Sequence, residues 1–167
     1  MEFTYRELLA ILGLKHEIDD SNKTAFRGRI QHMQRLGFPA GVNTGKGRPA
    51  YYGWRELLLL ALAFEYLEIG STPDRCVAEI VKFEDRLLDG LAVVISADSS
   101  DHMDQLHCFL RAELSSLLTL KVEHEWHQQC HILSLQEMNR VLSADGDNDF
   151  RSPYAIIDLR QFVGGVV

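Results

Sequence analysis

Eight apolar residues in a row, "LLLLALAF" at 57–64, set the first constraint on this chain. Arg55 and Glu56 precede the run and Glu65 and Glu68 follow it, so it is far shorter than the roughly 20 residues of a bilayer span. The spacing predicts a buried helix over "WRELLLLALAFEYLEIG", one that is stable only if neighbouring elements cover it. At 167 residues and 46% apolar content, the chain can supply those covers from one compact domain or two small ones. The opening "MEFTYRELLAILGLKHE" has acids on both sides of a short apolar stretch, so no signal peptide is expected. Cys76, Cys108 and Cys130 are odd in number and lack C-x-x-C pairing, which predicts buried thiols, no disulfide framework and a cytoplasmic location.

Short helices are predicted around that run. In "TYRELLAILGL", Tyr5, Leu8, Leu9 and Leu12 fall at helical spacing, and Thr4 with Glu7 forms a capping box. A polar turn, "KHEIDDSN", leads to a second helix over 23–36 with Phe26, Ile30, Met33 and Leu36 on one stripe and Gly37 as its C′ residue. After the apolar helix, Ser71 or Thr72 can cap and Pro73 opens a fourth helix carrying Val77, Ile80, Val81, Phe83 or Glu84, and Leu87.

Charge is unevenly distributed along this frame. Residues 1–55 hold nine Lys/Arg against five acids, a balance of +4, whereas 56–167 carries −11 within a net charge of −7. Such asymmetry is the pattern of a chain that meets a polyanion at one end. On the second helix, Arg27, Gln31, Gln34 and Arg35 project opposite the apolar stripe, with Lys23 close by. Arg and Gln make bidentate hydrogen bonds to guanine and adenine edges in the major groove, so this face suits base reading as well as phosphate contact; a solvated helix face has the same composition. Gly28 weakens this helix by roughly 1 kcal/mol relative to Ala.

The segment "PAGVNTGKGRPAYYGW" is too rich in glycine for helix. Extended pieces near Val42 and Ala50–Tyr52 predict a β-hairpin over 41–52 whose tip carries Lys46 and Arg48, a shape suited to probing phosphates or the minor groove. A nucleotide-binding loop is disfavoured: Gly41 lies one residue too close to Gly45-Lys46, and Gly47 stands where a magnesium-binding Ser or Thr is needed.

Residues 3–83 carry a resemblance. "TYRELLAILGL" followed by "RPAYYGWRELLLLALAFEYLEIGSTPDRCVAEI" is similar to the winged helix-turn-helix domain of MerR-type regulators. Arg48, Tyr51 or Tyr52, Glu56, Leu57, Leu60, Gly70, Ser71 and Ile80 stand at places similar to that family's pattern. The resemblance implies double-stranded DNA as partner, helix 23–36 in the major groove and the 41–52 wing on backbone or minor groove. The implied contact set is Lys23, Thr24, Arg27, Gln31, Arg35, Lys46 and Arg48, with Tyr51 as a phosphate donor. Effector sensing is not implied, because no long dimerisation helix is evident.

The second half reads as a small α+β domain over 91–167, after a winged helix-turn-helix domain over 1–90. "LAVVISA" predicts a strand, Met103 to Leu120 a helix on Leu106, Phe109, Leu110, Leu114, Leu117 and Leu118, "SLQEMNRVL" a helix and "YAIIDLRQFVGGVV" a terminal β segment. His124, His127, His131 and Cys130 have the donor types of a zinc site but loose spacing, so no metal or other cofactor is expected. "DGDND" lacks a calcium loop's bidentate Glu, since the twelfth residue from Asp145 is Ile156. No nucleophile elbow or positioned Cys–His pair argues for an enzyme. The expectation is a sequence-specific, bacterial-type transcriptional regulator acting as a homodimer through its C-terminal half; a protein-interaction adaptor or a ligand- or metal-responsive sensor are the alternatives.

Overall fold

The computed structural model of the chain describes residues 2–42, 50–97, 106–113, 130–143 and 154–166. The protein is mixed α+β and divides into two compact units, Met1–Lys82 with Gly165–Val167, and Phe83–Gly164. The division precedes the 90/91 boundary read from composition. Among the described residues no helix is long and apolar enough to cross a membrane. Cys76, Cys108 and Cys130 are all buried free thiols.

The first unit opens with strand β1 (Phe3–Thr4) and helix α1 (Tyr5–Lys15). The expected capping box is present: Glu7 N donates to Thr4 Oγ1 at 3.3 Å and Thr4 N to Glu7 Oε2 at 2.8 Å. The Thr4 amide first, and after it the Thr4 hydroxyl, both donating to Glu7 Oε2, hold the Glu7 carboxyl below the ordinary carboxylate range. A 3-10 turn over Asp20–Asn22 leads into α2 (Lys23–Arg35), which buries Phe26, Ile30 and Met33. Leu36, expected to extend the stripe, is 43% exposed, because the helix has already closed there. Gly37 takes φ +81° and donates to Gln34 O, while Phe38 N reaches back to Met33 O, so the chain turns and Phe38 becomes buried in Leu36's stead.

Strand β2 (Tyr51–Tyr52) pairs antiparallel with β1, Phe3 opposite Tyr52 and Thr4 opposite Tyr51. The extended piece at 50–52 therefore finds its partner at the N-terminus, and Val42 is outside any strand. The hairpin tip expected at 43–49 lies outside the described residues. Helix α3 (Trp54–Glu68) buries every residue from Leu57 to Phe64 together with Tyr66, as its unbroken apolar run requires. Phe26 of α2 stacks on Phe64 with centroids 4.6 Å apart. Gly70, at φ +95°, ends α3 with the same turn geometry as Gly37, and α4 (Pro73–Lys82) follows with Cys76, Val77 and Ile80 buried. Val81, expected on that stripe, is exposed, and the helix stops before Leu87.

In the second unit α5 (Glu84–Ser96) replaces the strand expected at "LAVVISA". Leu87, Leu91 and Val94 recur at helical spacing and are buried, whereas Val93 and Ile95 are exposed, so the 3.6-residue period overrides the local β-branched composition. The helix expected from Met103 to Leu120 is in fact strand β3 (His107–Glu113) over its described part; Leu114, Leu117 and Leu118 lie outside the described residues. Strand β3 is central in an antiparallel sheet ordered β4 (His131–Ser134), β3, β5 (Tyr154–Asp158). Cys108 through Ala112 are all buried, which removes the alternation that would have marked a strand. Helix α6 (Leu135–Leu142) starts as expected, on a Ser134–Glu137 capping box. The terminal segment is only half β: Arg160 N donates to Asp158 Oδ1 at 2.9 Å, and α7 (Leu159–Gly164) begins, burying Leu159 and Phe162.

Candidate nucleic-acid interface

One face of α2 must be buried for the first unit to have a core, and Phe26, Ile30 and Met33 fix which face it is. Geometry then dictates the rest. Lys23, Thr24, Arg27, Gln31 and Arg35 are all exposed, and positions 27, 31 and 35 form an i, i+4, i+8 row along the helix. Asn22 stands at the start of α2 and makes no side-chain hydrogen bond to its first turn. Lys23 is held by Asp20 across 2.7 Å in an exposed pair of the kind worth little in water.

Gln34, expected on the same surface, belongs to the scaffold instead. Its Nε2 donates to Tyr52 Oη at 2.6 Å, joining α2 to β2. A second tie runs from His32 Nε2 to Asp74 Oδ2 of α4 at 3.2 Å. Burial pushes the Tyr5 and Tyr52 phenols up, so both stay neutral; Arg27 pulls Tyr5 the other way. Tyr51 alternates out of β2 and is 53% exposed. Lys46 and Arg48 lie outside the described residues.

Arg6 was not in the expected set. It is exposed on α1 and shares a cleft of about 620 Å³ with Lys23 and Arg27, a cation that only the packing of α1 against α2 brings alongside them. Its place on α1, off the stripe of buried Leu8 and Leu12, is the sequence signal for it.

The candidate metal donors are not assembled by the described residues. His124 and His127 lie outside them; Cys130 is buried and its carbonyl accepts from Arg86 Nη1 at 3.0 Å. Among the described residues no group of three or more His, Cys, Asp or Glu could hold a metal ion. Burial raises the Cys76 and Cys108 thiols above their usual range, which makes them poor nucleophiles. Comparison with protein-family models and with curated proteins finds no match to this chain.

Proposed function

We propose that the protein is a sequence-specific DNA-binding transcriptional regulator of the MerR-like winged helix-turn-helix type, acting as a cytoplasmic homodimer. The observation that carries this is the exposed Arg27, Gln31, Arg35 row on a helix whose opposite face is core. In this reading α2 enters a major groove, where the two guanidiniums and the amide can make bidentate contacts to base edges. Lys23 and Thr24 meet the phosphates at the helix start, and Tyr51 with Lys46 and Arg48 reaches the flanking backbone or minor groove. The second unit, with fourteen acids against six basic residues, is repelled by phosphate and is left to pair two copies.

The test is selection of bound fragments from random duplexes by the full chain. The proposal predicts an inverted-repeat consensus with half-sites one helical turn or a multiple apart. Recovery of no consensus beyond the input would contradict sequence-specific recognition, and a single unrepeated half-site would contradict the dimer.

A further inference from the structure

Helix α1 carries two apolar stripes, and the core of the first unit uses one of them. Leu8 and Leu12 are buried. Arg6, Leu9, Ala10, Gly13 and Leu14 share another side of the helix and, with Glu17 just beyond its end, form one wall of the cleft of about 620 Å³. That wall is open: Leu14 is 83% exposed, and a Cβ added at Gly13 would meet no atom within 4 Å.

The order of residues along the wall is self-complementary. Arg6 and Glu17, Leu9 and Leu14, and Ala10 and Gly13 are three pairs centred on the same level of the helix, midway between positions 11 and 12. A twofold axis through that level lays the wall on a reversed copy of itself. Guanidinium then faces carboxylate at both ends, leucine faces leucine inside them, and alanine faces glycine at the centre, where small side chains let two helices approach to the near end of the usual separation of about 8–10 Å. Neither Arg6 nor Glu17 makes an ion pair or a side-chain hydrogen bond among the described residues. Eleven positions apart, they stand about 16 Å from each other along the chain's own helix, too far to pair within one copy. The flanking charges run in the same sense: Arg27 acts on the Tyr5 phenol at the Arg6 end, and Asp20 follows Glu17 at the other, tied to Lys23 across 2.7 Å.

We infer that this wall is a contact between two copies of the chain, α1 packed antiparallel on α1 about a twofold axis. Three turns of helix bury less than a standard interface, so the contact is weak and reversible. It is separate from pairing through the second unit and does not rest on DNA binding. In the reading of α2 as the duplex-binding helix, the pair formed here is a DNA-free one, because Arg27 lines the cleft that the second copy covers.

The test is sedimentation velocity of the full chain over a range of concentrations, for the wild type, for Arg6→Glu, for Glu17→Lys and for an equimolar mixture of the two variants. Both positions are exposed, so neither substitution touches the core. Each variant alone sets like charges against each other at both ends of the contact and should self-associate about tenfold more weakly than the wild type. In the mixture, one copy of each kind restores a cation facing a carboxylate at both ends, and association should be at least about fivefold tighter than for either variant alone. Pairing through the second unit is indifferent to this exchange. A wild type whose mass does not rise with concentration up to about 1 mM, a single variant that associates like the wild type, or a mixture no tighter than its components would each overturn the inference.

Discussion

At the scale of single residues, the backbone records where the sequence departs from what local geometry prefers. Glu17 has φ +49°, and the Ile18 N to Gly13 O bond of 2.9 Å closes α1 around it, the position that Gly37 and Gly70 occupy after α2 and α3. A residue with a Cβ in this conformation costs about 1 kcal/mol relative to glycine. Glu17→Gly should therefore stabilise the protein by about 1 kcal/mol, seen as a higher urea midpoint at unchanged m-value; a lower midpoint would mean that the Glu17 side chain supplies something the turn needs. The outward row makes a different kind of prediction. If Gln31 reads a base edge, Gln31→Ala should relax selectivity at one position of the site at a cost of about 1–3 kcal/mol, measured by competition between matched and mismatched duplexes. Exposure of Lys23, Arg27, Gln31 and Arg35 was legible from helical phase alone, because the apolar stripe fixes the opposite face. The role of Gln34 was not: its amide points to Tyr52, eighteen positions along the chain, and no local pattern encodes that bond.

At the scale of elements, what could be read in advance was a cap, a clear stripe or a long apolar run, and what could not was a short segment without one. The helices at 5–15, 23–35, 54–68 and 135–142 carry caps or stripes that can be read directly. Strand β3 is buried on both faces, so its apolar residues recur at spacings that fit a helix equally well. Helix α5 hides behind a β-branched run and is betrayed only by the spacing of Leu87, Leu91 and Val94. Its packing depends on Gly90, where an added Cβ would lie 2.2 Å from Ile132 Cδ1 of β4. Gly90→Ala should lose its helix-propensity gain to that clash, and Ile132→Val, which removes the offending methyl, should restore it. A double-mutant cycle in urea is expected to give a coupling of about 1 kcal/mol, and strict additivity would contradict the close approach. On β4, burial first, then Arg111 and Arg86, push the His131 imidazole below its usual pKa of 6.5. The unfolded chain therefore takes up the proton more readily than the folded one, and the stability present above the unfolded value is lost as pH falls toward the folded value. Between about pH 7.5 and about pH 5.5, the urea midpoint should fall less steeply in His131→Gln than in the wild type.

At the scale of the whole molecule, the two units differ in charge as well as in architecture. The first has eleven basic and ten acidic residues and the second six and fourteen, giving +1 and −8. That contrast is visible in the sequence alone, and it is what makes a polyanionic partner for one end of an acidic chain physically reasonable. The pairing of β1 with β2 could not be read in advance, because two-residue strands separated by most of the first unit leave no alternating pattern. The most direct measurement is the affinity of the full chain for its selected duplex at several salt concentrations, for wild type and for the Arg27→Ala, Arg35→Ala double variant. With five candidate cations per protomer, the account predicts that log affinity falls against log salt with a slope of about −4 or steeper, and that the double variant binds at least about tenfold more weakly. Wild-type binding that ignores salt, or a double variant that binds as tightly as the wild type, would contradict it.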